Sequence, residues 1–166
     1  TKLLPALKKY PDDIIITVDD DCMYDTDLVR MLYENHRKYP SDILCHRAHE
    51  VILKHGYPIP YKKWGWEKYG PSASYRNFLT GVGGVLYPPH SLPDMVFDES
   101  EFMSLCPRAD DIWFWAMAVL NNKKIRIIKH NKQHPKLVDG TQDTGLMHSN
   151  VGNDGNDKQL AELLKK

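Results

Sequence analysis

The clearest hydrophobic run in the chain is Ile14-Ile15-Ile16-Thr17-Val18. It is short, β-branched and continuous rather than alternating. That pattern predicts a strand covered on both faces, as in a parallel sheet. Before it, Leu3 to Lys9 reads as a short helix, broken by Pro11-Asp12-Asp13. After it, Asp25 or Thr26 is the expected cap of a helix running to about Lys38. Leu28, Met31 and Leu32 form its apolar face. Pro40-Ser41 ends that helix, and Asp42 to His46 predicts a second strand. Strand, helix and strand with short connections indicate an α/β fold.

The second half is less regular. Gly56 to Tyr75 holds Tyr57, Tyr61, Trp64, Trp66, Tyr69 and Tyr75 among prolines, lysines and glycines. It reads as an ordered, loop-rich insertion. Val82 to Tyr87 predicts a strand interrupted by Gly83-Gly84 and closed by Pro88-Pro89. Asp110 or Asp111 opens a helix through Leu120 that is apolar on nearly every side, the mark of a central core helix. Asn121-Asn122 ends it, and Ile125 to Ile128 predicts another strand. Asp139 to Asp157 reads as loop, and Gln159 to Lys165 as a last helical turn or two. No internal repeat or domain boundary is visible, so residues 1–166 are expected to form one domain.

Composition narrows the function classes. Lysines and arginines number 22, as do aspartates and glutamates. The balance gives no electrostatic case for nucleic acid as a partner. Cys22, Cys45 and Cys106 contain no CxxC pair, which argues against a disulfide framework or a structural zinc site and fits a reducing, cytoplasmic setting. No apolar run approaches the roughly 20 residues that span a bilayer. The chain opens at Thr1 in a helix-like stretch, which suggests that upstream sequence has been removed.

The chemistry concentrates at Asp19-Asp20-Asp21, directly after the first strand. Along an extended chain Asp19 and Asp21 share a side and Asp20 faces the other. In open α/β sheets, ligands bind beyond the C-terminal ends of strands. Adjacent carboxylates repel, and a divalent cation relieves that repulsion while gaining oxygen ligands. It can then neutralise charge on a diphosphate. Turn-forming and capping aspartates are the structural alternative. A calcium loop fits poorly, because Met23 and Tyr24 fall where an oxygen ligand and a glycine belong. A phosphatase-type acid pair also fits poorly at Met23.

Other candidates carry paired readings. Asp110 and Asp111 can cap the core helix through its dipole, or one can face a cleft. Gly81, Gly83 and Gly84 imply either a ligand close to the backbone or a bulge. Trp64 and Trp66 can stack on sugar rings or pack the insertion down. Arg47, between His46 and His49, can pair with Asp42 or meet a phosphate. His148 reads as a loop histidine, and Asn156 as the N-cap of the last helix.

Three segments together carry a family resemblance. Ile14 to Asp21 resembles the strand and DxD motif of GT-A glycosyltransferases. Thr80-Gly81-Val82-Gly83-Gly84-Val85-Leu86-Tyr87-Pro88-Pro89 resembles the glycine-rich strand of bacterial polysaccharide transferases. Ala109-Asp110-Asp111-Ile112-Trp113 resembles the acidic pair of family 2 and exostosin-like enzymes. The resemblance implies an α/β, GT-A-like (Rossmann-like) mixed sheet flanked by helices. In that fold a nucleotide-binding β-α-β segment precedes the DxD strand. The implied unit is therefore the C-terminal portion of the catalytic domain, truncated at its N-terminus.

By the same resemblance, Mn2+ or Mg2+ is held by Asp21 directly and by Asp19 directly or through water. Asp19, Asp20, Gly83 and Gly84 line the donor, a nucleotide diphosphate-sugar, with a UDP-sugar the foremost expectation. Asp111 is the general base on a saccharide or lipid-linked saccharide acceptor; in a retaining enzyme it would orient the acceptor instead. Several GT-A enzymes use a late histidine as a metal ligand, the position His148 would hold. The implied role is polysaccharide or lipopolysaccharide biosynthesis, in the cytoplasm or at the inner face of the membrane. The rival readings are a non-catalytic carbohydrate-binding domain and another metal-dependent enzyme acting on phosphates.

Overall fold

A computed structural model of the chain describes residues 1–66, 72–128, 135–138 and 154–165. The first half runs α1 (Leu3–Lys9), β1 (Ile15–Thr17), β2 (Cys22–Met23), α2 (Leu28–Lys38), β3 (Ile43–Cys45) and β4 (Ala48–Glu50). The short strands β5 (Leu53–Lys54), β6 (Tyr57–Pro58), β7 (Ser72–Ser74) and β8 (Asn77–Leu79) follow. The second half holds β9 (Val85–Tyr87), α3 (Glu99–Leu105), α4 (Asp110–Leu120), β10 (Ile125–Ile127), β11 (Lys136–Leu137) and α5 (Gly155–Leu163).

A five-stranded mixed sheet organises the molecule in the order β1-β9-β3-β10-β7. Only β3 and β10 pair in parallel; the other neighbours are antiparallel. The pleat sends alternate residues to opposite faces. Ile43, Cys45, Val85, Tyr87, Ile125 and Ile127 face the larger core with α1, α3, α4 and α5. Leu44 and Leu86 face the other way, against Leu28 and Leu32 of α2. The sheet is thus covered by helices on both sides, a mixed α/β architecture.

The run at 14–18 departs from expectation in an instructive way. Its isoleucines are half-buried, Ile15 against the larger core and Ile14 and Ile16 against the smaller one, while Val18 is exposed. Yet β1 lies at a sheet edge and pairs antiparallel with β9. Partial coverage by helices on both faces, rather than parallel pairing, accounts for the three isoleucines.

Several boundaries also move. α2 starts at Leu28 after Asp27, without a side-chain cap; neither Asp25 nor Thr26 takes that position. The α2 C-terminus falls at Lys38, as the pattern predicts. α3 has no counterpart among the predicted elements. Its signal is the Asp98 carboxylate, which accepts from the Glu101 amide at 2.9 Å. The strand expected from Val82 begins only at Val85, because Gly81–Gly83 form a 3-10 turn. α5 begins at Gly155 after Asp154, so Asn156 lies inside the helix rather than capping it. No helix among the described residues is long and apolar enough to cross a membrane.

Candidate active site

The aspartate triplet leaves the end of β1 and turns into β2. Asp20 is exposed, while Asp19 and Asp21 are half-buried. Ligand atoms of Asp19, Asp21 and Cys22 all lie within 4.8 Å of one another. Oxygen and sulfur ligands held at about 2.0–2.6 Å from one cation have separations of this order. The donor set therefore fits a divalent cation: the carboxylates suit magnesium or manganese, and a thiol adds affinity for softer ions. Without metal, burial and the Asp21 carboxylate push the Cys22 thiol up to about 11, and its Sγ donates to Asp21 Oδ1 at 3.5 Å. The Lys2 ammonium ion-pairs with Asp19, so positive charge is already drawn to this position.

Tyr24 ties the acidic turn to the glycine-rich turn. Its hydroxyl accepts from the Asp19 amide and donates to the Val82 carbonyl, both at 2.9 Å. Burial raises this phenol well above its ordinary range, so it stays a neutral bridge. The bridge ties together two motifs that the pairing of β1 with β9 already sets side by side.

The second motif receives the third. Gly81 donates its amide to Asp111 Oδ1 at 3.0 Å. Asp111 stands in the first turn of α4, yet neither acid serves as a side-chain N-cap, a place held by Ala109. The dipole reading still holds, since both acids lie in the first turn and Asp110 accepts the Asp111 amide, while Asp111 also bonds to the glycine-rich turn. Burial, followed by the neighbouring Asp110 charge, raises the Asp111 carboxyl to about 7; the Gly81 amide opposes the rise, and Asp19 adds to it. Burial raises Asp110 too, against the pull of Lys2. The Asp19 charge thus acts on Asp110 and Asp111 across about ninety positions of sequence.

The glycines have a definite packing reason. A Cβ on Gly83 would fall 2.5 Å from Arg47 Cβ, closer than real side chains approach. Gly84 adopts φ of +82°, in the region that favours glycine, and faces Leu28 of α2. The atoms that exclude a side chain here belong to the chain itself, so a tight turn accounts for both residues without a sugar. Arg47 does not pair with Asp42. Its Nη1 donates to Thr80 Oγ1 at 3.2 Å, while Asp42 accepts from Arg126 Nε at 2.7 Å.

Trp64 and Trp66 separate into two roles. Trp64 is buried and donates Nε1 to the Ile59 carbonyl at 2.7 Å, as the packing reading expects. Trp66 is 41% exposed, with its ring 4.6 Å from His49 and 5.7 Å from Tyr61. Tyr61 is anchored from α5, whose Asp157 Oδ1 accepts the Tyr61 amide at 2.7 Å. His148 and Tyr69 lie outside the described residues.

Sequence reasoning missed Cys22, Tyr24 and Lys2. Cys22 had a signal, being the next residue after the acidic triplet. Tyr24 and Lys2 had none, since each acts on a partner whose position only the fold supplies. No protein-family model matches this chain, and no curated protein matches it.

Proposed function

We propose that this chain belongs to the catalytic domain of a GT-A-type glycosyltransferase that moves a sugar from a nucleotide diphosphate-sugar to a saccharide acceptor. The observation that carries the reading is the meeting of three segments distant in sequence. Asp19 and Asp21 form a cation-sized cluster, Tyr24 joins that turn to Val82, and Asp111 closes on Gly81. These are the three segments on which the family resemblance rests.

A divalent cation, Mn2+ or Mg2+, would be held by Asp19 and Asp21, with Cys22 alongside, and would neutralise the departing nucleoside diphosphate. Asp20, exposed at the same turn, is available to the donor sugar or ribose. Asp111 Oδ1 is committed to the Gly81 amide, which fixes the carboxylate and leaves its second oxygen to take the acceptor hydroxyl proton. A carboxyl held near 7 suits a base working at neutral pH. As that proton leaves, the acceptor oxygen bonds to the sugar's anomeric carbon. The bond from that carbon to the diphosphate breaks.

The test is release of nucleoside diphosphate from UDP- and GDP-sugars, with Mn2+ and a mixed saccharide acceptor pool. Asp111→Asn should lower turnover by about 100-fold or more while changing donor affinity little. Asp110→Asn should be milder. Asp111→Asn turning over at the wild-type rate would rule out the base assignment.

A further inference from the structure

The aromatic insertion carries a projecting hairpin that the proposed chemistry does not use. β5 and β6 pair Leu53 with Pro58 and Lys54 with Tyr57. Only His55 and Gly56 connect them, with φ of +52° and +87°. Positive φ at both loop positions is what a type I′ turn requires, the connection whose twist matches a two-residue hairpin. The Ile59 amide donates to the Ile52 carbonyl at 2.9 Å, which extends the pairing toward the base. There Glu50 and Gly65 exchange backbone bonds of 2.7 and 3.2 Å. The hairpin is a braced finger.

Its surface is unusual in two independent respects. Apolar side chains are open on both faces: Ile52 is 37% exposed, Leu53 46% and Tyr57 72%. Successive strand residues point to opposite faces, so Ile52 and Leu53 are both exposed because the tip stands clear of the core, onto which Ile59 at the base packs. Single exposed apolar residues are ordinary; several on one projection are not. The charge is also one-sided. From Val51 to Trp66 the sequence holds Lys54, Lys62, Lys63 and His55 but no aspartate or glutamate. Lys54 at the tip and Lys63 are exposed, while Lys62 pairs with Asp154 at 2.8 Å.

We propose that this hairpin is a docking finger for the surface of an anionic lipid bilayer. Leu53, Ile52 and Tyr57 would enter the boundary between headgroups and acyl chains, with Lys54 and Lys63 on the lipid phosphates. Apolar and aromatic side chains beside lysines form the composition that settles at this boundary. Basic residues near an anionic surface add long-range attraction. The tight turn matters as well, because a finger already ordered loses little conformational freedom on insertion. A protein partner would equally accept the apolar tip, but the absence of acids over sixteen residues favours a uniformly negative surface. This inference is independent of the metal site and of the identity of the sugar donor.

Sedimentation with phosphatidylcholine vesicles, with and without about one part in three phosphatidylglycerol, tests it. The chain should bind the anionic vesicles at least about tenfold better than the neutral ones and be released by high salt. Leu53→Ser combined with Tyr57→Ser, and separately Lys54→Glu, should each lower binding about fivefold or more with unchanged circular dichroism. Met103→Ser, at an exposed apolar position of α3, should bind as the wild type does. Absence of vesicle binding, equal binding to neutral vesicles, or hairpin variants that bind like the wild type would overturn the proposal.

Discussion

Asp111 sits in a place that favours its neutral form, and this has a consequence for stability. Its carboxyl is raised from 3.8 to about 7, first by burial and then by Asp110. Between those two values the unfolded chain has released a proton that the folded chain keeps. Stability therefore falls as pH rises through this window and stays lowered above it. One pKa unit corresponds to about 1.4 kcal/mol, so the burden has an upper bound of about 4 kcal/mol. Asp111→Asn keeps an oxygen for the Gly81 amide and removes the charge. Its melting temperature should exceed the wild type's at pH 8, and the difference should vanish near pH 4. Equal melting temperatures at pH 8, measured by calorimetry, would show that the carboxylate is not strained. A residue that stabilises the fold when neutralised, yet is needed for turnover, would be held there for chemistry.

At the scale of elements, α4 is the piece on which the site depends, since it carries Asp111 and fills the centre of the core. Trp113 is 1% exposed, donates Nε1 to the Val96 carbonyl at 3.2 Å and packs on Phe102 at 5.8 Å. Trp115 turns to other neighbours, donating to the Tyr75 carbonyl at 2.9 Å and meeting Phe78. Trp113→Ala should cost about 3–5 kcal/mol, read from the shift in urea midpoint. A variant of unchanged stability that loses turnover would move Trp113 into the site. This helix was legible in sequence because an unbroken apolar run states its own burial. Its end was legible too: Asn122, expected to stop it, adopts φ of +54°. Pairing was not legible. Nothing in Ile14-Ile15-Ile16 distinguishes an antiparallel edge strand from a parallel central one, since that depends on β9, seventy positions away. The glycine-rich segment misled for a related reason. Its apolar residues suggested a strand from Val82, but the turn at Gly81–Gly83 fits around Arg47, a remote contact.

Across the whole molecule, the sheet brings the end of β1 beside the turn that precedes β9, and α4 closes over that turn. Tyr24 and Asp111 reach the turn from opposite motifs, at Val82 and Gly81. The acidic triplet, the glycines and the acid pair were visible in sequence as separate segments. Their convergence was not, because it depends on long-range pairing. The helices that cover the two sheet faces hold these turns in a fixed relation, so a cation at Asp19 and Asp21 should act on Asp111 through the shared charge of Asp19. The most direct measurement is calorimetric titration of UDP and GDP into the protein with Mn2+ and again in chelator, for wild type and Asp21→Ala. Saturable binding of one nucleotide should require the metal, and Asp21→Ala should weaken it by about tenfold or more. Equal binding in chelator, or unchanged affinity in Asp21→Ala, would contradict the metal and donor site.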